Sequence, residues 1–383
     1  MGLRRPKSNK NPPIFSHEFF IQNHADIVSC VAMVFVIGLM FQATSSVASL
    51  FVAMQHNITL NDSTGQSPEA GVPGLYTYGS KDAFNIFFYL LICIVIHAVI
   101  QEYVLDKLNR RMHLSKIKHS KFNESGQLLT FYIVSAVWGA DIIIRESYVA
   151  NINQLWEGYP HSQLPFIVKF YFIIQIAYWI HCFPELYFQK VKKDDMYSRI
   201  QYAVLYLVFI TAAYLLNFSR VALCMMVIHY LVEFVFHTSR LLYFAEKSDL
   251  AATGFMVWNV LFVLVRLGTI TLAVLTFWYG LEQTSVDKLN IPAGNFNTKV
   301  VRINSLAALC LLQAWMMWNF ITFHLKRLRE KSGANRRPTS PKKKQKSVKA
   351  KDDDDVNSLP EADQNDATEN GSVRQRAAKA KRN

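Results

Sequence analysis

The chain has 383 residues, of which 51% are hydrophobic and 13% aromatic, with a formal net charge of +13. Its mean hydropathy of +0.12 averages two polar ends with a very apolar middle, which excludes both a disordered chain and an ordinary soluble domain. The five cysteines (Cys30, Cys93, Cys182, Cys224, Cys310) all fall inside apolar stretches, so no disulfide framework is expected.

Residues 1–26 form a polar leader carrying Arg4, Arg5, Lys7 and Lys10. No cleavable signal peptide is expected, because the apolar run begins only after this leader and serves as the targeting signal itself. Pro6 stands where a myristoylation motif wants Ser or Thr. Span one follows at 27–47, then a loop at 55–82 rich in Ser, Gly and Pro, with Lys81 as its one basic residue. Two glycosylation acceptors lie there, Asn57-Ile58-Thr59 and Asn61-Asp62-Ser63. Span two is expected at 83–105, and Lys107, Arg110, Arg111, Lys116, Lys118 and Lys121 crowd the next connection.

Span three (128–148) contains Asp141, Arg145 and Glu146; the first two are four apart, share a helical face and can pair. The connection 151–165 has no Lys or Arg. Span four (166–188) has Lys169 near its start and His181, Pro184 and Glu185 towards its end, where the proline should kink the helix. Lys190, Lys192, Lys193 and Arg199 come next, then span five at 200–217. In span six (221–243), His229, Glu233 and His237 recur every four residues and so share a face. Arg240 and Lys247 follow, then span seven (255–281) with Arg266 in its middle and span eight (300–323) starting at Arg302.

Each stretch approaches the roughly 20 apolar residues that cross a bilayer. The connections are alternately rich and poor in Lys and Arg, and positive charge stays cytosolic on insertion. Eight spans with both termini cytosolic satisfy that pattern. From residue 326 the chain reads as a disordered basic tail, with 17 Lys or Arg against nine Asp or Glu. Such a tail suits contact with anionic lipid or the ribosome. It ends Lys379-Ala-Lys381-Arg-Asn, the form of an endoplasmic-reticulum retrieval signal.

Ionisable residues inside spans are costly and therefore mark function or a buried pair. Asp141, Arg145, Glu146, His181, Glu185, His229, Glu233, His237 and Arg266 are the candidates for an intramembrane polar seam or substrate-facing groove. His229, Glu233 and His237 are metal-ligand types, but their spacing is not that of a His-Glu-x-x-His site and one helix cannot close a coordination sphere. The favoured reading is a seam that partners Arg266 or the span-three charges. There is no Gly-rich phosphate loop and no Ser-His-Asp or Cys-His constellation, so no catalytic residue, metal or cofactor is assigned.

Several long, polar strings carry a resemblance. They include Gln22-Asn-His-Ala-Asp-Ile-Val-Ser-Cys30, Ile96-His-Ala-Val-Ile-Gln-Glu-Tyr103, Lys118-His-Ser-Lys-Phe-Asn-Glu-Ser-Gly-Gln127, Phe183-Pro-Glu-Leu-Tyr-Phe-Gln-Lys190 and Gly294-Asn-Phe-Asn297. Over residues 12–330 the chain resembles the translocating chain-associated membrane (TRAM) proteins. The resemblance implies an all-α, multi-pass bundle with a TLC domain over 117–326, preceded by two spans (27–116) and followed by the tail (327–383). It also implies an endoplasmic-reticulum protein beside the Sec translocon that assists nascent chains and signal sequences among membrane lipids.

The TLC fold is shared with ceramide synthases, whose catalytic motif includes a His-His pair and a later His-Asp. Here the corresponding positions read Ile200-Gln201-Tyr202 and His229-Tyr230. The residues needed for general acid/base acyl transfer are thus missing, and no enzyme activity is expected. A lipid-binding or acyltransferase role is the alternative.

Overall fold

The computed structural model describes residues 13, 16–58, 74–191 and 193–335. Asn61 and the basic tail beyond 335 lie outside the described residues. Eight helical stretches among those described are long and apolar enough to cross a membrane, as the sequence predicts. The bundle has two ends. The basic end carries the connections around 113–121 and 190–199. The far end carries the loops at 53–58, 74–81, 146–165 and 285–298.

The first helix, α1 (His17–Gly38), starts at Ser16, whose hydroxyl accepts from the Phe19 N–H (3.2 Å). It begins ten residues before the expected span one and ends well inside it. The expected continuous helix over 27–47 is therefore corrected: residues 39–41 turn the chain and α2 (Gln42–Val52) folds back on α1. A Cβ on Gly38 would sit 3.2 Å from that of Ala48, and the Phe35 and Phe51 rings are 4.4 Å apart. The cause is polar. Thr44 Oγ1 donates to the terminal Gly38 carbonyl (2.8 Å), satisfying a group that a continuing helix would have used.

α3 (Asp82–Val99) runs through a π-helical turn, Ile100–Leu105, into α4 (Asp106–Met112). α5 (Lys116–Arg145) begins twelve residues before the expected span three, because the charged stretch stays helical and its Glu124 finds an ionic partner in Arg199 of a neighbouring helix. α6 (Phe166–Phe188) remains helical through Pro184, four residues before its end. α7 (Lys193–Leu215) and α8 (Ser219–Phe244) follow. α9 (Ser248–Ala273) extends through a π turn and a 3-10 turn to Thr284, and α10 (Lys299–Asn335) closes the bundle. Two-residue strands β1 (Leu75–Tyr76) and β2 (Leu164–Pro165) pair antiparallel at the far end.

α8 is the axis of the fold. It is buried on nearly all sides, whereas α1 and α10 bury one narrow stripe. α5 approaches it closely at Gly139, where a Cβ would collide with Val227. α9 does so at Gly254, where a Cβ would meet Ser239. Small residues at such crossings let helix backbones come together inside a bilayer. The turn from α7 to α8 is made by Asn217 in the left-handed region (φ 59°), its amide donating to the Gly294 carbonyl (2.8 Å). All five cysteines are free thiols.

Candidate functional site

The polar face of α8 divides into two parts. His229, Glu233 and His237 share a face, but they open on different cavities. His229 sits at the centre of a hydrogen-bonded chain that crosses the bundle. Tyr132 (α5) and Tyr202 (α7) hydroxyls are 2.6 Å apart, and Tyr202 and Tyr206 (α7) hydroxyls 3.0 Å. Tyr206 meets His229 Nε2. Arg266 (α9) donates from Nη2 to His229 Nδ1 (2.6 Å) and from Nη1 to Gln313 Oε1 (3.0 Å) and Met316 Sδ (2.9 Å) of α10.

An arginine can only donate, so His229 Nδ1 accepts and the ring proton is assigned to Nε2. Both nitrogens of His229 are thus engaged. Around this chain lies a cavity of about 80 Å³, mostly apolar, between α7 and α10 with α8 and α9 as its floor.

Nearer the basic end, a second cavity of about 130 Å³ lies among α3, α5, α6, α7 and α8. Glu233 and His237, both buried, line it and approach each other at 4.0 Å. On its α3–α6 side, His97 Nε2 is 3.2 Å from Glu185 Oε1, and His97 Nδ1 is 3.3 Å from His181 Nε2. On the opposite side Glu124 (α5) pairs with Arg199 (α7) at 2.8 Å, and Arg240 lies over the Phe236 ring (5.6 Å). His181 and Glu185 therefore share this cavity with Glu233 and His237, whereas Arg266 belongs with His229 alone.

The span-three charges are not in the seam, a correction to the sequence expectation. Asp141 and Arg145 do pair (2.8 Å), but on an exposed face of α5. They fall in its last two turns, where long side chains can reach the interface without being buried among helices. Glu146 caps the same helix and lines a far-end pocket with His161 and Arg220. Asn57 is half-buried, bridged to Tyr76, with its amide 3.4 Å from the Tyr76 hydroxyl.

The largest omission from the sequence reading is the partner of Lys169. Its ammonium, fully buried, forms an ion pair with Asp82 Oδ1 (2.7 Å) and donates to the carbonyls of Thr77 (2.7 Å) and Gln55 (2.8 Å). The other Asp82 oxygen accepts from the Tyr214 hydroxyl (2.8 Å) and the Gly79 N–H (2.9 Å). One ion pair thus ties α3, α6, α7 and two loops together. An intramembrane lysine four residues into a span calls for an acid at the same depth, and Asp82 opening span two was the available one. His97, Glu124 and the tyrosines were missed because they lie in stretches that read as apolar or as cytosolic loop.

At the far end, outside the spans, His161 Nε2 lies 2.9 Å from the Glu157 carbonyl. Burial, assisted by nearby Arg220, pushes its pKa down to about 4. The Tyr159 hydroxyl donates to the Leu216 carbonyl (2.8 Å) and accepts from the Phe296 N–H (3.2 Å), and burial pushes it up to about 12. Tyr159 fastens the 146–165 loop to its neighbours, and His161 braces the loop from within. Among the described residues, no group of three or more ligand-type side chains is placed to hold a metal ion.

Comparison with known proteins places these features in a family. The family model described as a TLC domain matches residues 121–322. Human translocating chain-associated membrane protein 2 is 45% identical over 346 residues, 89% of this chain and 91% of that protein. Its mouse counterpart is 45% identical over 330 residues, 86% of each. A ceramide synthase, FUM18 of Gibberella moniliformis, is 25% identical over 194 residues, 50% of this chain and 45% of its own length.

Proposed function

Because the chain belongs to the translocating chain-associated membrane protein family and carries its TLC domain, we propose that it is a non-enzymatic accessory at the endoplasmic-reticulum translocation site. It works beside the Sec translocon, receiving signal sequences and weakly hydrophobic spans. Both termini face the cytosol, so the basic tail meets the ribosome or anionic lipid. The observation that carries the reading is the polar seam set within an otherwise apolar bundle, with a mostly apolar cavity beside it. Such a surface gives a marginally apolar segment neutral and charged partners that lipid does not offer, lowering the cost of leaving the pore. Strongly apolar segments need no such help.

The test is import into reconstituted membranes with and without the protein, across a series of signal sequences of graded hydrophobicity. Dependence on the protein should rise as hydrophobicity falls; equal import across the series defeats the proposal. The same orientation puts a glycan on Asn57 or Asn61 in the lumen. A glycosidase shift that survives Asn57→Gln together with Asn61→Gln would remove that part.

The kinship with a ceramide synthase supports a second reading, lipid binding or acyl transfer. Catalysis is disfavoured by the hydrogen bonds. Acyl transfer needs a base with a free lone pair near the nucleophile. Here His229 Nδ1 is occupied by Arg266, and its other nitrogen faces a tyrosine hydroxyl. Acyl-CoA-dependent ceramide formation by the purified protein, abolished by His229→Ala, would reinstate it.

A further inference from the structure

Arg266 is a cation at the middle of the membrane without an anion. It is 2% exposed and stands halfway along the continuous helical stretch Ser248–Thr284, too far from either end to snorkel. Its hydrogen-bond partners are neutral: an imidazole, an amide and a thioether. Its aromatic neighbour is Phe262, 5.0 Å from the guanidinium. Its Nε–H is buried and has no acceptor. Among the described residues no carboxylate forms an ion pair with it. A buried cation left this way is costly, and such residues in membrane proteins face a pathway or a ligand.

The cavity that Arg266 lines tells what shape of anion fits. Its volume of about 80 Å³ holds on the order of six water-sized groups, enough for one carboxylate side chain. It lies between α7 and α10, which flank it without forming a close helix–helix contact. Its rim is made of half-buried Leu205, Phe209, Leu309, Leu312 and Trp315. The lipid-depth position matters as much as the charge. The carboxylate of a fatty acid rests near the headgroups, whereas an acidic residue in the centre of a spanning segment lies at the depth of Arg266.

We propose that the α7–α10 cavity selects client spans by the sign of their charge: it docks a weakly hydrophobic transmembrane segment whose central Asp or Glu inserts beside Arg266. This rests on the accessory role proposed above and names its substrate class. A charged residue at a helix centre is costly to insert. Pairing with a cation already desolvated offsets part of that for an acid, and adds like-charge repulsion for a base.

The experiment uses the full chain with a photo-reactive residue in place of Leu312, reconstituted with the translocon in proteoliposomes. Ribosome-bound clients would carry one span, identical but for Asp, Asn or Lys at its centre. The Asp client should give roughly tenfold more adduct than the Lys client, the ratio expected from a difference of about 1.4 kcal/mol, with Asn between. In Arg266→Gln the Asp and Asn clients should give equal yields, while Arg266→Lys should keep the order. The wild-type comparison stands even if Arg266→Gln fails to fold. Equal yields from Asp and Lys clients in the wild type would overturn this inference alone. No adduct with any client would likewise overturn this inference, whereas only import that does not depend on the protein would overturn the accessory role with it.

Discussion

Two buried cations, Lys169 and Arg266, lie at opposite extremes of compensation. Lys169 has three oxygens within 2.8 Å, two of them carbonyls that accept its protons and one a paired carboxylate whose other oxygen is held by Tyr214 and Gly79. Arg266 has neutral partners, an idle Nε–H and a cavity at its side. Burial is nearly the same for both; completeness of the coordination separates them. The first is a fastening that the rest of the far end is built around. The second is a charge kept out of water with capacity left over, which is what a binding group requires.

The contrast is broken most directly at Lys169. Lys169→Met leaves Asp82 as an unpaired buried carboxylate and strands two loop carbonyls, so stability should fall by about 3–5 kcal/mol. Removing both charges, Lys169→Met with Asp82→Leu, should recover more than half of that loss, because no lone ion remains. Denaturant unfolding in detergent micelles reads both variants. A loss below about 1 kcal/mol for the single change would mean that this pair is no fastening.

How much of this was legible in the sequence divides along the same line. The eight spans follow from apolar length and alternating basic connections, because bilayer thickness and charge retention act on each stretch separately. The hairpin at 39–41 was not legible: a hydropathy window averages Gln42, Thr44 and Ser45 with their apolar neighbours, and what breaks the helix is one threonine hydroxyl on one carbonyl. The i, i+4 spacing put His229, Glu233 and His237 on one face, and the four-residue separation did pair Asp141 with Arg145. Local periodicity says nothing about which way a face points. Arg266 finding His229 and Lys169 finding Asp82 are contacts across 37 and 87 positions of the chain, fixed only when helices dock.

Acid sharpens the comparison through a histidine of the far end. His161 is buried among the loops of the fastened region, and its pKa falls from the usual 6.5 to about 4. A histidine whose folded pKa is depressed binds its proton more readily when unfolded. Its contribution is therefore complete above about pH 6.5 and is lost as pH falls towards 4. Between pH 7.5 and 5 the loss should be about 2 kcal/mol. His161→Gln, which cannot charge, should flatten that part of the profile in thermal unfolding at the two pH values. An unchanged slope would place the acid sensitivity elsewhere.

The smallest effect is expected at Arg266, where the two regions should differ most from a naive count of charges. Arg266→Leu removes the cation and leaves no anion behind. What it strands is the lone pair of His229 Nδ1 and the Gln313 carbonyl oxygen, neutral acceptors whose loss costs about 1–3 kcal/mol together. Part of that returns because an uncompensated charge no longer has to be desolvated. The net loss should be about 1 kcal/mol, well under that of Lys169→Met although both cations are equally hidden. Leu264→Ala, two residues away on the same helix but 57% exposed, should stay within about 0.5 kcal/mol and serves as the baseline. If Arg266→Leu were as damaging as Lys169→Met, an anion would have to sit beside Arg266 in the folded protein, and the cavity would be a structural lock. If it matched Leu264→Ala while Arg266→Gln lost its preference for acidic clients, the guanidinium would be held for binding alone.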